Sequence, residues 1–148
     1  MAVSKDQVTV VVPTLNEEEA IGAVLDELKQ HGYDNVLVVD GYSTDNTVEV
    51  ANHNGVRVVF QHGRGKTGAL RTAVDYVDTP YLVMMDGDCS YDPRGIERLL
   101  AHGDRYDQVI GYRARGRNHV LRLHRLGNWV ITRAFNLLMG TGLSYMCS

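Results

Sequence analysis

Short apolar, β-branched runs alternate with helix-length amphipathic segments along most of this chain. Residues 8–12 predict a buried strand, stopped by Pro13. A helix is expected over 17–30, where Ala20, Ile21, Val24, Leu25 and Leu28 share one apolar face. Glu17, Glu18 and Glu19 suit the positive end of its dipole, and Gly32 marks its exit. A second strand over 36–39 ends at Asp40. Ser43 or Thr44 is placed to cap a helix reaching about Asn52, which Gly55 closes. Residues 56–60 predict a third strand, and a Gly-containing loop leads from it to a helix over 67–77. Residues 81–85 predict a fourth strand ending at Asp86. A helix after Pro93 fits Ile96, Leu99 and Leu100, and 108–110 resembles a further strand.

Continuous apolar strands separated by helices imply an α/β fold with a mostly parallel central sheet flanked by helices. In open sheets of that kind ligands gather beyond the carboxyl ends of the strands. Here those ends carry residues 13–16, 40–45, 63–66 and 86–88, so the expected fold also locates an expected site.

Composition adds limits. The chain has 148 residues and ordinary globular make-up, which suits one domain with a real core. Two cysteines, Cys89 and Cys147, make no metal or disulfide pattern and suit a reducing compartment. The net charge of -3 hides a polarity. Through Asp88 there are 14 acids against 6 Lys and Arg; from Cys89 onward, 4 acids face 9 arginines. That excess points to an anionic partner for the later segment. The N-terminal residues lack the apolar stretch of a secretory signal, and no apolar run is long enough to span a bilayer.

The strongest chemical signal is Asp86-Gly87-Asp88, at the end of the fourth strand. Magnesium and manganese prefer hard oxygen ligands and share their coordination with substrate phosphates. Two carboxylates in one short loop suit such an ion beneath a diphosphate, where it would act as a Lewis acid. The competing role is a simple turn. Asp92, before Pro93, reads as structural or as a cap.

At the other strand ends, Pro13 opens a junction in which Asn16 and Glu17 offer hydrogen bonds to a nucleoside, with helix capping as the alternative. Asp40 is placed to accept from a base N–H or a ribose hydroxyl, and Asp45 to hold the same loop or cap a helix. The run from Gly63 to Gly68 lacks the first glycine of GxxxxGK[ST], which disfavours a P-loop ATPase. It still brings Lys66, Arg71 and helix-terminal N–H groups near anionic groups.

In residues 111–133, Arg113, Arg115, Arg117, Arg122, Arg125 and Arg133 alternate loosely with apolar residues and Trp129. This pattern suits peripheral contact with an anionic membrane, or helices docked with arginines toward water. No nucleic-acid motif accompanies the charge, and the absence of HExxH disfavours zinc hydrolysis. An apolar stretch at 135–139 precedes an unpatterned end, so the domain over 1–148 is expected to be incomplete C-terminally.

The ordered set of motifs, from Val8 to about Ser148, resembles glycosyltransferase family 2, especially its dolichyl- or polyprenyl-phosphate sugar transferases. Pro13-x-x-Asn16-Glu17 is similar to the family's first nucleotide-contacting motif. Asp40, Ser43 and Asp45 match its acidic loop, from which Gly41 and Tyr42 depart. Gly65-Lys66-Thr67-Gly68-Ala69 resembles the donor-side glycine–lysine segment. Asp86-Gly87-Asp88 resembles the metal motif, and Tyr91-Asp92-Pro93 its downstream extension. Gly111-Tyr112-Arg113 resembles a glycine-x-arginine segment, which makes Arg113 a catalytic and phosphate-contacting candidate, with Arg117 and Arg125 beside it for the acceptor. Tyr145 stands where relatives carry aspartate.

The resemblance implies a GT-A-type, Rossmann-like fold and inverting transfer from a donor such as GDP-mannose or UDP-glucose. It also implies magnesium or manganese, a dolichyl or polyprenyl phosphate acceptor, and work at the cytoplasmic face of a membrane. Three alternatives compete with it: transfer to a saccharide or lipid hydroxyl, a sugar-phosphate nucleotidyltransferase, and a noncatalytic nucleotide-binding protein. The nucleotidyltransferase is disfavoured because its glycine-rich arginine–lysine signature is missing near the first strand.

Overall fold

The computed structural model describes residues 3–111 together with Arg133, Ala134, Asn136 and Leu137. The chain divides into two compact units, Met1–Gly111 and Tyr112–Ser148, and the sheet belongs to the first. In the second, the four described residues are helical. Arg113, Arg115, Arg117, Arg122, Arg125, Trp129, Tyr145 and Cys147 lie outside the described residues.

A 3-10 turn, Lys5–Gln7, leads into β1 (Val8–Thr14), α1 (Ile21–Gln30), β2 (Val36–Asp40), α2 (Thr47–His53), β3 (Arg57–Phe60), α3 (Gly65–Tyr76), β4 (Tyr81–Met84) and α4 (Arg94–Leu100). The strands form one sheet in the order β3-β2-β1-β4, and every pairing is parallel. Side chains alternate across it as the pleat requires. Val8, Val10, Val12, Val36 and Val38 pack with Ile21, Val24, Leu25, Leu28, Ala51, Ile96 and Leu100 on one face. Val11, Leu37 and Val39 meet Ala69 and Ala73 of α3 on the other. Burial on both faces explains why β1 and β2 read as unbroken apolar runs.

Local departures from the sequence expectation have physical causes. Pro13 does not stop β1; it pairs with Val39, and the ladder continues to Thr14 and Asp40. Val10 N–H donates to Asn35 O and Gly41 N–H to Thr14 O, so even-numbered residues of β1 face β2. Met85 N–H donates to Val11 O, so odd-numbered residues face β4. The donor that Pro13 lacks therefore falls just past the last β1–β4 pair, Val11 with Met84, where no ladder bond is broken.

Helix α1 begins at Ile21 rather than at residue 17; a turn closed by Ala20 and Ile21 N–H on Glu17 O precedes it, and Glu17 and Glu18 donate their N–H groups to Thr47 Oγ1 and Asp45 Oδ2. Neither Ser43 nor Thr44 caps α2, whose N-cap is Asn46. Residues 108–110 form no strand and pair with none among the described residues; Ile110 is left 79% exposed. Among the described residues, no helix is long and apolar enough to cross a membrane.

Candidate active site

Parallel strands bring four loops to one edge of the sheet, and the first two are bonded into a single unit. Thr14 Oγ1 donates to Asp40 Oδ1 at 3.1 Å. Ser43 donates its N–H to Asp40 Oδ2 at 2.8 Å and its hydroxyl to Oδ1 at 2.5 Å. Asn16 N–H donates to Ser43 Oγ at 2.9 Å, while Asn16 Oδ1 accepts from Thr44 N–H at 2.8 Å. Glu17 N–H reaches Thr47 Oγ1 at 2.8 Å, and Glu18 Oε2 accepts from Asn46 N–H at 3.0 Å. Asp45 takes Thr47 N–H and Oγ1 on Oδ1, and Glu18 N–H on Oδ2. Burial pulls the Asp45 carboxyl upward, but the hydrogen bonds from Thr47 and from the Glu18 backbone outweigh it and hold it below its ordinary value.

Asp40 has no exposed surface, and both its oxygens are taken by Thr14 and Ser43. The sequence offers it to a base or a ribose; the fold turns it inward to fix the loop, because a buried carboxylate requires local donors. Asn16 is exposed at its surface but uses its backbone N–H and side-chain oxygen on the same loop, at a left-handed φ of 56° that asparagine tolerates.

After β4, Gly87 is buried. A Cβ there would lie 3.2 Å from both Thr14 Cγ2 and Val12 Cγ1, so glycine lets the loop lie this close over β1 without displacing them. The flanking acids differ. Asp86 Oδ2 meets Lys66 Nζ at 2.8 Å, whereas Asp88 is exposed and takes Ser90 N–H on Oδ1 at 2.9 Å. Lys66 comes from the first turn of α3, and its pKa is raised chiefly by the hydrogen bond to Asp86, against the opposing effect of burial.

Glu17 reports how closely the loops converge. Burial, then the charges of Asp88, Asp45 and Asp86, push its carboxyl above the usual value. Three loops thus share one anionic neighbourhood. Among the described residues no three His, Cys, Asp or Glu side chains form a ready-made metal cluster. Two carboxylates with room for outside ligands fit magnesium or manganese, which complete their shells with substrate phosphate and water.

Arg71 does not join this group. It stands exposed on α3, five positions from Lys66 and so about 140° around the helix. Asp92 holds Arg94 locally, taking its N–H at 3.0 Å and its guanidinium at 2.8 Å, at the start of α4. Cys89 Sγ donates to Ala20 O at 3.6 Å.

Tyr42 takes a φ of 66° and stacks on Phe60, with ring centroids 5.4 Å apart and planes 19° apart. Nothing local in the sequence announces that pair.

The sequence pattern of Glycosyl transferase family 2 matches residues 9–146. The glycosyltransferase AglJ of Haloferax volcanii is 42% identical over 139 residues, covering 91% of this chain and 46% of that protein. A dolichyl-phosphate hexose transferase of the same organism is 38% identical, covering 91% of this chain and 60% of that one. The chain thus spans about half the length of these relatives. Glucosyl-3-phosphoglycerate synthase of Mycobacterium tuberculosis, solved with Mn2+, UDP and glucosyl-3-phosphoglycerate, superposes with a TM-score of 0.58 at 29% identity. That match covers 64% of this chain and 38% of the synthase. The parallel sheet with its flanking helices is thus of the GT-A type.

Proposed function

The chain belongs to glycosyl transferase family 2, and from that membership we propose that it transfers a hexose, with inversion, from a nucleoside diphosphate sugar to a dolichyl or polyprenyl phosphate. The observation that carries the proposal is the acid loop after β4, where Asp86 and Asp88 flank a glycine pressed onto β1 and face the loop of Glu17. The dolichyl-phosphate hexose transferase at 38% identity supports the choice of acceptor.

Asp86 and Asp88 would hold magnesium or manganese, which supplies Lewis-acid charge neutralisation for the leaving diphosphate. Lys66 sits beside Asp86 and turns to the donor phosphates, adding a mobile positive charge. The bonded loops after β1 and β2, with Pro13, Asn16 and Glu17, form the wall against which the nucleoside is oriented. Asp40 acts from beneath, through Ser43.

The acceptor is a phosphate oxygen already ionised near neutral pH, so attack on the anomeric carbon requires no dedicated general base. Arg113, Arg117 and Arg125 are assigned to the acceptor phosphate, and the basic segment around them to peripheral contact with the cytoplasmic face of a membrane.

The test gives purified protein a panel of radiolabelled nucleotide sugars, divalent metal and polyprenyl phosphate in detergent. Metal-dependent label in the organic phase, lost in a folded Asp88→Ala variant, is the expected result. Label only in a water-soluble product would replace the acceptor with a saccharide or small phosphorylated acid. Full turnover by Asp88→Ala would remove Asp88 from the mechanism.

A further inference from the structure

We infer that Tyr42 and Phe60 form an aromatic platform on which the base of the donor nucleotide stacks. The inference rests on the donor reading above and adds to it a base-binding surface.

The first support is conformational. Gly41 follows β2 and donates its N–H to Thr14 O at 2.8 Å; a Cβ there would lie 3.2 Å from that oxygen and from Gln61 Nε2. On the far side, Asp40 grips Ser43 by both N–H and hydroxyl. Tyr42 is pinned between these anchors at a φ of 66°, where an aromatic L-residue is sterically penalised. Such strain persists where the surroundings over-determine it, and it gathers at ligand sites.

The second support is exposure. The strain does not bring the ring into the core: Tyr42 is 62% exposed and Phe60 48%. The rings are offset at 5.4 Å, so each covers only part of the other, and Tyr42 stays largely exposed. Leu15, 58% exposed, borders the same loop near Gly41 and widens the apolar surface. Engaged polar groups of Asn16, Thr44 and Asp45 lie in these same loops. An apolar flat surface within a polar loop edge suits a heteroaromatic ring better than a lipid chain.

The third support is position. Tyr42 follows β2 and Phe60 ends β3, while the acid pair follows β4, with β1 between. Adjacent strands lie about 4.8 Å apart, so the acid loop is roughly 10 Å from the end of β2 and roughly 14 Å from that of β3. A nucleoside diphosphate whose phosphates rest at Asp86 and Asp88 extends its base over this interval, across the end of β1. Stacking is tolerant of base identity, so UDP and GDP should both use the platform.

The experiment titrates UDP, GDP and inorganic pyrophosphate into the purified protein with Mn2+, by calorimetry, for wild type, Tyr42→Ala, Phe60→Ala and Tyr42→Phe. Tyr42→Ala should weaken both nucleotides about ten-fold, the scale of one lost stacking contact. Pyrophosphate affinity should stay as in wild type, and Tyr42→Phe should bind nucleotide normally. Phe60→Ala, on an exposed strand end, carries the test if Tyr42→Ala fails to fold.

Unchanged nucleotide affinity in the folded alanine variants would overturn the platform and leave the donor reading standing. Nucleotides binding no more tightly than pyrophosphate would also overturn it. A wild-type protein binding neither would sink both readings. Loss of co-sedimentation with polyprenyl-phosphate vesicles in Tyr42→Ala, with nucleotide affinity intact, would reassign the rings to the acceptor lipid.

Discussion

Lys66 Nζ lies 2.8 Å from Asp86 Oδ2, joining the first turn of α3 to the acid loop after β4. Lys66 remains 67% exposed while Asp86 is 24% exposed, so the lysine is the member free to swing away. If Asp86 holds a divalent cation, as proposed above, the Lys66 ammonium competes with that ion for the same carboxylate. Lys66→Met should therefore tighten Mn2+ binding in the absence of nucleotide by roughly two- to five-fold, the scale of an exposed ion pair. The same change should weaken nucleoside diphosphate binding. Manganese titration by electron paramagnetic resonance reads the first effect, and weaker metal binding in the variant would contradict it.

Thr72 is fully buried in α3, accepting His62 N–H at 2.6 Å and donating to Gly68 O at 2.9 Å. It ties the loop after β3 to the helix that carries Lys66. Thr72→Val keeps the shape and removes both bonds, at a cost of about 1–3 kcal/mol if the His62 N–H stays unpaired. Thr72→Ser, which keeps the hydroxyl, should cost less. Urea unfolding of the three proteins ranks them, and equal midpoints would refute the bridging role.

Gly87 and Gly95 should respond in opposite directions to alanine. The methyl at Gly87 meets β-branched Thr14 and Val12 at 3.2 Å, both on a buried strand with little room to yield. Gly87→Ala should lower stability by about 1–3 kcal/mol and weaken Mn2+ binding as the acid loop lifts. Gly95, in α4, has nothing within 4 Å of its added Cβ. Gly95→Ala should raise stability by roughly 0.5–1 kcal/mol through the unfolded chain. Thermal melts decide both signs.

The Lys5–Glu97 pair sets a pH window for the fold. Lys5 Nζ meets Glu97 Oε1 at 2.8 Å and also donates to His31 O at 2.8 Å, tying the N-terminal turn to α4 and the end of α1. The hydrogen bond from Lys5, then its charge, holds the Glu97 carboxyl below its ordinary value. Its contribution is complete above the unfolded carboxylate value and disappears as pH falls through the lower folded one. The Lys5 pKa is raised, first by the hydrogen bond to Glu97, so its contribution is present below the ordinary lysine value and is lost as pH rises through the higher folded one. The Tm difference between wild type and Glu97→Gln should therefore be present at neutral pH and shrink in acid below the carboxylate range. A difference that grows in acid would show that the pairing is not its source.

The strands and the acid loop were legible in the sequence because their signals are local. Four apolar runs became four parallel strands, and the site's loops fell where those strands end. What escaped was set by partners distant in sequence. Asp40 reads as a ligand group at a strand end, yet Thr14 and Ser43 close over it only once β1 and β2 are paired. Glu17 and Glu18 look like a first helical turn, yet the helix starts only at Ile21 and their N–H groups go to Thr47 and Asp45, about thirty residues on. Arg71 is close to Lys66 in sequence but on another side of the helix. The left-handed turn at Tyr42 needed both its anchors in place before it could be seen.

The clasp between the loops after β1 and β2 leaves Leu15 and Tyr42 pointing outward without enlisting either side chain in a hydrogen bond. The fastenings and the exposed apolar surface therefore reside in different atoms of the same few residues. Those two side chains can be exchanged while the scaffold beneath keeps every fastening it has.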